Sequence, residues 1–234
     1  MYRIYLSPSN QPANKYCVGN TNEKVEMEAI AKKIKEILDE EYNCEAVMAT
    51  FYLNVDSAGR PKEAKDKGCH IYLAIHSNAG GGGKASGAVA FFHPESYNGK
   101  LLAAKVVKEL NAICPIQSNR SIPVESGMKQ FNGIGYGEIR NPAKIGLASV
   151  LVETDFHDNP KTAQWIIDSK DEIARAYANA IVKTFNISKK SPSQEKLAKK
   201  YYKVQVGAYS NKSNAEAMLK RLKIAGFVGF IKYE

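Results

Sequence analysis

Ala148-Ser149-Val150-Leu151-Val152-Glu153 is a short apolar run that ends in a carboxylate. A run of this length and polarity is the kind of strand buried inside a parallel or mixed sheet. Working outward, Cys69 to Ile75 reads as a second buried strand, and Gly80-Gly81-Gly82-Gly83 ends the segment after it. Tyr2 to Leu6, Ala46 to Tyr52 and Ala88 to Phe92 read as further strands. Between them the period changes. Met27, Ile30, Ile34, Ile37 and Leu38 recur at three- and four-residue steps, which predicts a helix from about Glu23 to Glu41 with one apolar stripe. Leu101 to Ile113 is a second helix, stopped by Pro115, and Thr162 to Phe185 is read as one long helix. Strands alternating with helices predict an α/β fold: a mixed, mostly parallel sheet flanked by helices.

The chain has 234 residues, 44% hydrophobic and 24% charged. That is one large domain, or one plus a fragment, at about 150 residues per domain. Such a composition excludes wholesale disorder, collagen and a disulfide mini-protein. No run approaches about 18 consecutive apolar residues, so membrane insertion is not expected. The opening MYRIYLSPSN lacks a basic region followed by an apolar run, so the expectation is synthesis in the cytoplasm without a signal peptide. Cys17, Cys44, Cys69 and Cys114 have no CxxC spacing and read as free thiols.

The net charge of +9 is uneven. Residues 189–234 hold 11 Lys/Arg against 3 Asp/Glu, while residues 1–188 hold 22 against 21. A basic tail implies an anionic partner or a solubilising role. Nucleic acid is not the expected partner, because the tail carries no nucleic-acid-binding signature. The polar run SKKSPSQEK marks a linker over 188–200, which leaves residues 1–187 as one domain and 201–234 as a small unit. In that unit Tyr201 to Tyr209 and Phe227 to Tyr233 read as strands. Ser213-Asn214-Ala215-Glu216 reads as a capping box opening a helix, and Gly226 is placed to end it. The tail is therefore a small C-terminal βαβ unit.

Four histidines are present: His70, His76, His93 and His157. His76 ends a buried strand just before the glycines, where sites form in α/β sheets. His70 begins that strand, roughly 20 Å away at about 3.3 Å per residue. His93 follows another strand and reads equally as a cleft or a surface residue. Glu153 follows an apolar run, so desolvation should raise its pKa and suit it to acid–base work. Thr154 to Asn159 read as a polar turn past that strand.

Asn22-Glu23-Lys24, Leu73-Ala74-Ile75-His76-Ser77-Asn78-Ala79 and Val150-Leu151-Val152-Glu153-Thr154-Asp155-Phe156, together with Arg60, resemble the zinc-dependent N-acetylmuramoyl-L-alanine amidases of the amidase-3 type. The resemblance covers about residues 2–186. It implies a peptidoglycan hydrolase, endolysin or autolysin, that cleaves between muramic acid and L-alanine and acts on the wall after release. It implies Zn2+ as cofactor, Glu23 and His76 as zinc ligands, and Glu153 as the catalytic carboxylate. Arg140 and Glu138, in Tyr136-Gly137-Glu138-Ile139-Arg140, together with Asn78, are expected to contact substrate, or else Arg140 and Glu138 form a structural ion pair.

One family ligand is missing. The first strand of the family usually ends in Asp-Pro-Gly-His, where this chain has Ser7-Pro8-Ser9-Asn10. A catalytic zinc normally takes three protein ligands plus water. His157, four residues past Glu153, is the expected replacement. Asn10 is a poor zinc ligand, and Cys17 is chemically better but sits in a loop. A non-catalytic peptidoglycan-binding protein on the same fold is the rival reading.

The tail, with Tyr202 to Tyr209, Ala215 to Leu222 and Ala225-Gly226-Phe227, resembles half of a SPOR domain, a family that binds septal peptidoglycan. An uncovered half-module predicts pairing with a second copy as a homodimer, docking on the amidase domain, or a degenerate remnant.

Overall fold

The computed structural model describes residues 1–191, 206–227 and 229–231. Six strands form one sheet: β1 (Tyr2–Pro8), β2 (Cys44–Met48), β3 (Ile71–Asn78), β4 (Val89–Phe92), β5 (Val124–Ser126) and β6 (Ala148–Phe156). Their order is β2-β1-β3-β6-β4-β5. β2, β1, β3 and β6 run parallel, β4 is antiparallel to β6, and β5 is parallel to β4. The sheet is mixed and mostly parallel, as expected.

Alternation along the strands divides the core into two layers. Ile4 and Leu6, Ile71, Leu73 and Ile75, and Val150 and Val152 face one side and are fully buried. There they meet α1 (Glu23–Glu41), α3 (Tyr97–Ile113) and α6 (Lys170–Phe185). Tyr5, Tyr72, Ala74 and Leu151 face the other side, against Ala64 of α2 (Arg60–Asp66) and Ile139 of α4 (Gly137–Lys144). Tyr5 and Tyr72 stack with ring centroids 5.2 Å apart. α1 spans the expected residues, and Met27, Ile30, Ile34 and Leu38 of its stripe are buried.

Several boundaries differ from expectation. β6 continues through Phe156, so Thr154, Asp155 and Phe156 lie in the strand and not in a turn. They stay extended because each is buried: Thr154 Oγ1 meets Tyr177 Oη at 2.9 Å, and Asp155 accepts from Gly87 N at 3.0 Å. The long helix over Thr162 to Phe185 is two helices, α5 (Pro160–Asp168) and α6. Ser169 breaks it: its N–H still bonds Trp165 O, but its ψ of 33° leaves the helical path. Asn159 caps α5 and Pro160 takes its first position, where a missing N–H costs nothing.

The expected linker starts late. Asn43 N donates to Ser188 O at 3.0 Å, Lys189 forms a bridge with Tyr42, and Lys190 N donates to Glu41 O at 2.8 Å. Residues 188–190 are therefore fastened to the sheet domain, and 192–200 lie outside the described residues.

The chain divides into two units, Met1–Leu197 and Ala198–Glu234. The second holds α7 (Lys212–Ile224). Its N-cap is Asn211, whose side chain accepts from Ser213 N at 2.9 Å, so the expected Ser213–Glu216 capping box is not formed. Glu216 instead faces Lys212 at 3.6 Å. Gly226, at φ +85°, ends the helix in the left-handed region. The expected flanking strands are not formed at residues 206–209, 227 or 229–231, and the rest of each lies outside the described residues. Among the described residues, no helix is long and apolar enough to cross a membrane.

Candidate active site

The parallel strands β1, β3 and β6 end together, and the chemistry-bearing residues gather at that edge. His76, two residues before the end of β3, is the register partner of Glu153 on β6. Glu23 is the first residue of α1, fixed there by Asn22, whose side chain accepts from Val25 N at 3.2 Å. A carboxylate at a helix N-terminus is favoured by the unpaired N–H groups and the helix dipole. Glu23 is 1% exposed, and its Oε1 lies 3.0 Å from His76 Nδ1. Its Oε2 accepts from Asn14 Nδ2 at 2.6 Å, and its Oε1 from Ser77 N at 3.3 Å.

The electrostatics follow from this crowding. Burial alone would lower the His76 pKa, but contacts with Glu138 and Glu23 and the charges of Glu153 and Glu138 push it up to about 10. Burial raises Glu23, yet its bonds to His76 and Asn14 and the imidazolium charge hold it below the usual carboxylate range. Glu153 lacks such bonds. Burial lifts it to about 7, with His76 opposing and Glu23 reinforcing the rise. Its Oε2 is buried without a hydrogen-bond partner among the described residues, and so is His76 Nε2.

Two donors about 2.0–2.2 Å from a tetrahedral zinc sit about 3.3–3.6 Å apart. Glu23 Oε1 and His76 Nδ1, at 3.0 Å, would have to part by a few tenths of an ångström to take two such corners. Among the described residues, no three His, Cys, Asp or Glu side chains converge into a metal-holding group. His157 is close but held. It is buried, stacks on Tyr16 with centroids 5.1 Å apart, and sets Nδ1 3.0 Å from Ser77 Oγ. Its backbone N donates to Asn78 O at 2.8 Å. Ser77 is thus one link between His157 and Glu23.

The other candidates are elsewhere. Asn10 is exposed and donates to Phe51 O at 3.2 Å. Cys17 is an exposed free thiol whose N donates to His157 O at 3.1 Å. His70 sits at the opposite end of β3, stacked on Tyr2.

Glu138 does not pair with Arg140; its Oε1 lies 3.5 Å from His76 Nε2, and Tyr72 Oη donates to its Oε2. Burial explains this, since its side chain is only 9% exposed. Arg140 donates to Ile134 O at 3.0 Å and is half-buried. Arg60, 3% exposed, donates to Pro8 O at 2.7 Å and Ser7 Oγ at 2.9 Å, so it braces the end of β1. Sequence reading missed Ser7, Asn14, Tyr16, Tyr72 and Ser77. Tyr72 carried a signal: a tyrosine inside a buried strand needs a partner for its hydroxyl.

A family profile described as N-acetylmuramoyl-L-alanine amidase matches residues 8–183, and a SPOR domain profile matches residues 173–234. The SPOR match overlaps α6, which packs in the helix layer of the sheet domain. The chain is 26% identical over 232 residues to a sporulation-specific N-acetylmuramoyl-L-alanine amidase of Bacillus subtilis (strain 168), covering 97% of this chain and 83% of that protein. It is 27% identical over 242 residues to the N-acetylmuramoyl-L-alanine amidase CwlM of Bacillus licheniformis, covering 100% of this chain and 85% of that one. Among solved structures, the catalytic domain of the amidase CwlV from Bacillus (Paenibacillus) polymyxa var. colistinus matches with a TM-score of 0.66 at 17% identity, covering 80% of this chain and 100% of that domain.

Proposed function

Because the chain belongs to the amidase-3 family of N-acetylmuramoyl-L-alanine amidases and is a peptidoglycan hydrolase, we propose that it cleaves the muramic acid to L-alanine amide with Glu153 as proton carrier and zinc held by Glu23, His76 and His157. The observation that carries this reading is the meeting of Glu23 Oε1 and His76 Nδ1 at 3.0 Å beside Glu153, the register partner of His76. The family is generally zinc-dependent. When bound, zinc would polarise the lactyl carbonyl and lower the pKa of a water. Glu23 and His76 supply two donors. His157 is proposed as the third donor, by a shift from the described arrangement, in which its Nδ1 lies 3.0 Å from Ser77 Oγ and no three such side chains converge among the described residues.

Glu153 takes the proton from the attacking water and delivers it to the leaving nitrogen. A carboxyl lifted to about 7 is suited to both transfers near neutral pH. Arg140 and Asn78, partly exposed at the rim, contact the muropeptide.

The tail binds peptidoglycan, in keeping with its SPOR match. Pairing of two tails is part of the proposal: no residue of α7 is buried, and Phe227 and Phe230 are 64% and 75% exposed. Sedimentation of the full chain should then show a dimer. Zinc analysis combined with mass analysis of products from purified muropeptides tests the whole reading. About one zinc per chain and free L-alanine-terminated peptides are expected. A metal-free protein that binds sacculi and releases nothing would instead be a wall-binding protein.

A further inference from the structure

Residues 127–136 connect β5 to α4, and Met128 and Tyr136 pack on the sheet face that Leu151 occupies. Glu153, two residues past Leu151 on β6, points to that same face. Leu151 is the register partner of Phe91 on β4. Tyr136 packs on Phe91 with ring centroids 4.8 Å apart, and Phe131 meets Tyr136 edge-on at 5.2 Å. Three aromatic rings thus run outward from the sheet beside Glu153. Phe91 is buried, Tyr136 is half-buried and Phe131 is 62% exposed. Ile134, in the same loop, is exposed as well.

The display of Phe131 is built into the loop. Its φ of +52° lies in the left-handed region, which bulky side chains rarely adopt, and Asn132 follows at +54°. Hydrogen bonds hold that path. Ile134 N donates to Phe131 O at 3.1 Å, Gly135 N to Gln130 O at 2.9 Å, and Arg140 Nη1 to Ile134 O at 3.0 Å. Strain of this kind persists where the surroundings over-determine it, and it gathers at ligand-binding sites. The neighbourhood is also acidic. Glu125 accepts from Gln130 Nε2 at 3.1 Å at the foot of the loop. Burial pushes the Tyr136 phenol up to about 12, and the charges of Glu153 and Glu125 add to the rise.

We propose that Phe131 is a specificity-determining residue, whose exposed ring stacks on a sugar of the glycan strand and holds it along the cleft beside Glu153. The proposal rests on the amide-cleaving reading above. Peptidoglycan offers the loop two parts, glycan and peptide. A pyranose has an uncharged face of C–H bonds, which suits the negative face of an aromatic ring. A peptide carries at least its terminal carboxylate, which Glu125 and Glu153 repel. The exposed ring and the local charge therefore both select the glycan.

The test is competitive inhibition of turnover of a small soluble muropeptide, measured on the full wild-type chain and on Phe131→Ala, Phe131→Gly and Phe131→Tyr. Turnover reports the catalytic unit, so glycan held by the tail does not enter the reading. The competitors are the uncharged N-acetylglucosamine tetramer and the free stem peptide. The inhibition constant of the tetramer should rise about tenfold in Phe131→Ala and Phe131→Gly, where the ring surface is lost. It should stay near wild type in Phe131→Tyr, and the constant of the stem peptide should not move in any variant. Phe131→Gly should melt near wild type, because glycine adopts a positive φ freely, and this separates a lost platform from a folding lesion. A tetramer constant within twofold of wild type in Phe131→Ala and Phe131→Gly overturns the proposal. So does a shift that falls on the stem peptide, or a tetramer that fails to inhibit the wild-type chain. A wild-type chain that releases no peptide from the muropeptide would overturn the amide-cleaving reading, and this role with it.

Discussion

His76 and Glu153 are register partners on the adjacent parallel strands β3 and β6. Partners in a ladder point to the same side of the sheet, so the pairing alone sets the imidazole and the carboxylate side by side. The strands then fix their spacing without any loop. Glu153→Gln should keep the fold and the zinc and lower the rate by about 10²-fold or more. Wild-type release of amino termini from cell walls by this variant would remove Glu153 from the mechanism.

The pH profile follows from the same pair. Burial raises the Glu153 carboxyl to about 7, and the base form is the ionised one. The rate should therefore fall as pH drops through the carboxyl pKa. A bound cation next to it favours the ionised form, so the acid limb of kcat/KM should lie at or below about 7. A limb that stays in place in Glu153→Gln would belong to another group.

Much of this was legible in the sequence, and the gaps have physical causes. The Met27 to Leu38 stripe disclosed α1 because 19 residues at helical period leave no rival pattern. His76 and Glu153 were legible because each closes an apolar run. α4 was not: it has eight residues with Pro142 inside, and it forms because Ile139 packs under the sheet. The inward turn of Glu138 depends on Tyr72, 66 residues away, and no local pattern encodes it. The hold on His157 likewise comes from Ser77, 80 residues earlier.

The third donor is open to a direct count. His157→Ala should lose zinc and activity together, whereas His93→Ala and Cys17→Ser should keep most of their zinc. His157 is linked through Ser77 to Glu23, while Cys17 contacts it only through the backbone. Elemental analysis of the three purified variants decides. Full zinc in His157→Ala would reject that ligand, and loss in Cys17→Ser would move the search to the loop.

Asn22 links helix stability to the site. Its side chain caps the turn that carries Glu23. Asn22→Ala should cost about 0.5–2 kcal/mol of stability. It should also weaken zinc binding, because Glu23 sits in the first turn that frays. A thermal melt and a zinc titration on one sample check both effects, and a destabilised variant with unchanged zinc affinity would show that Asn14 and Ser77 hold Glu23 by themselves.

The last test separates the two units, and the structure sets where to cut. Truncation after Ser191 leaves every proposed site residue in place and removes the described tail. Turnover of small soluble muropeptides should stay near wild type. Binding to intact sacculi should fall, because the tail carries most of the net charge and the SPOR match. Truncation after Ser188 should behave differently. It also removes the Tyr42–Lys189 bridge and the bond from Lys190 N to Glu41 O, which tie the chain to the end of α1 and the start of β2. Melting of the shorter form should come at a lower temperature than that of the longer one. Equal melting of the two would mean that residues 189–190 add nothing to the sheet domain, and unchanged sacculus binding by the longer truncate would remove the wall-binding role from the tail.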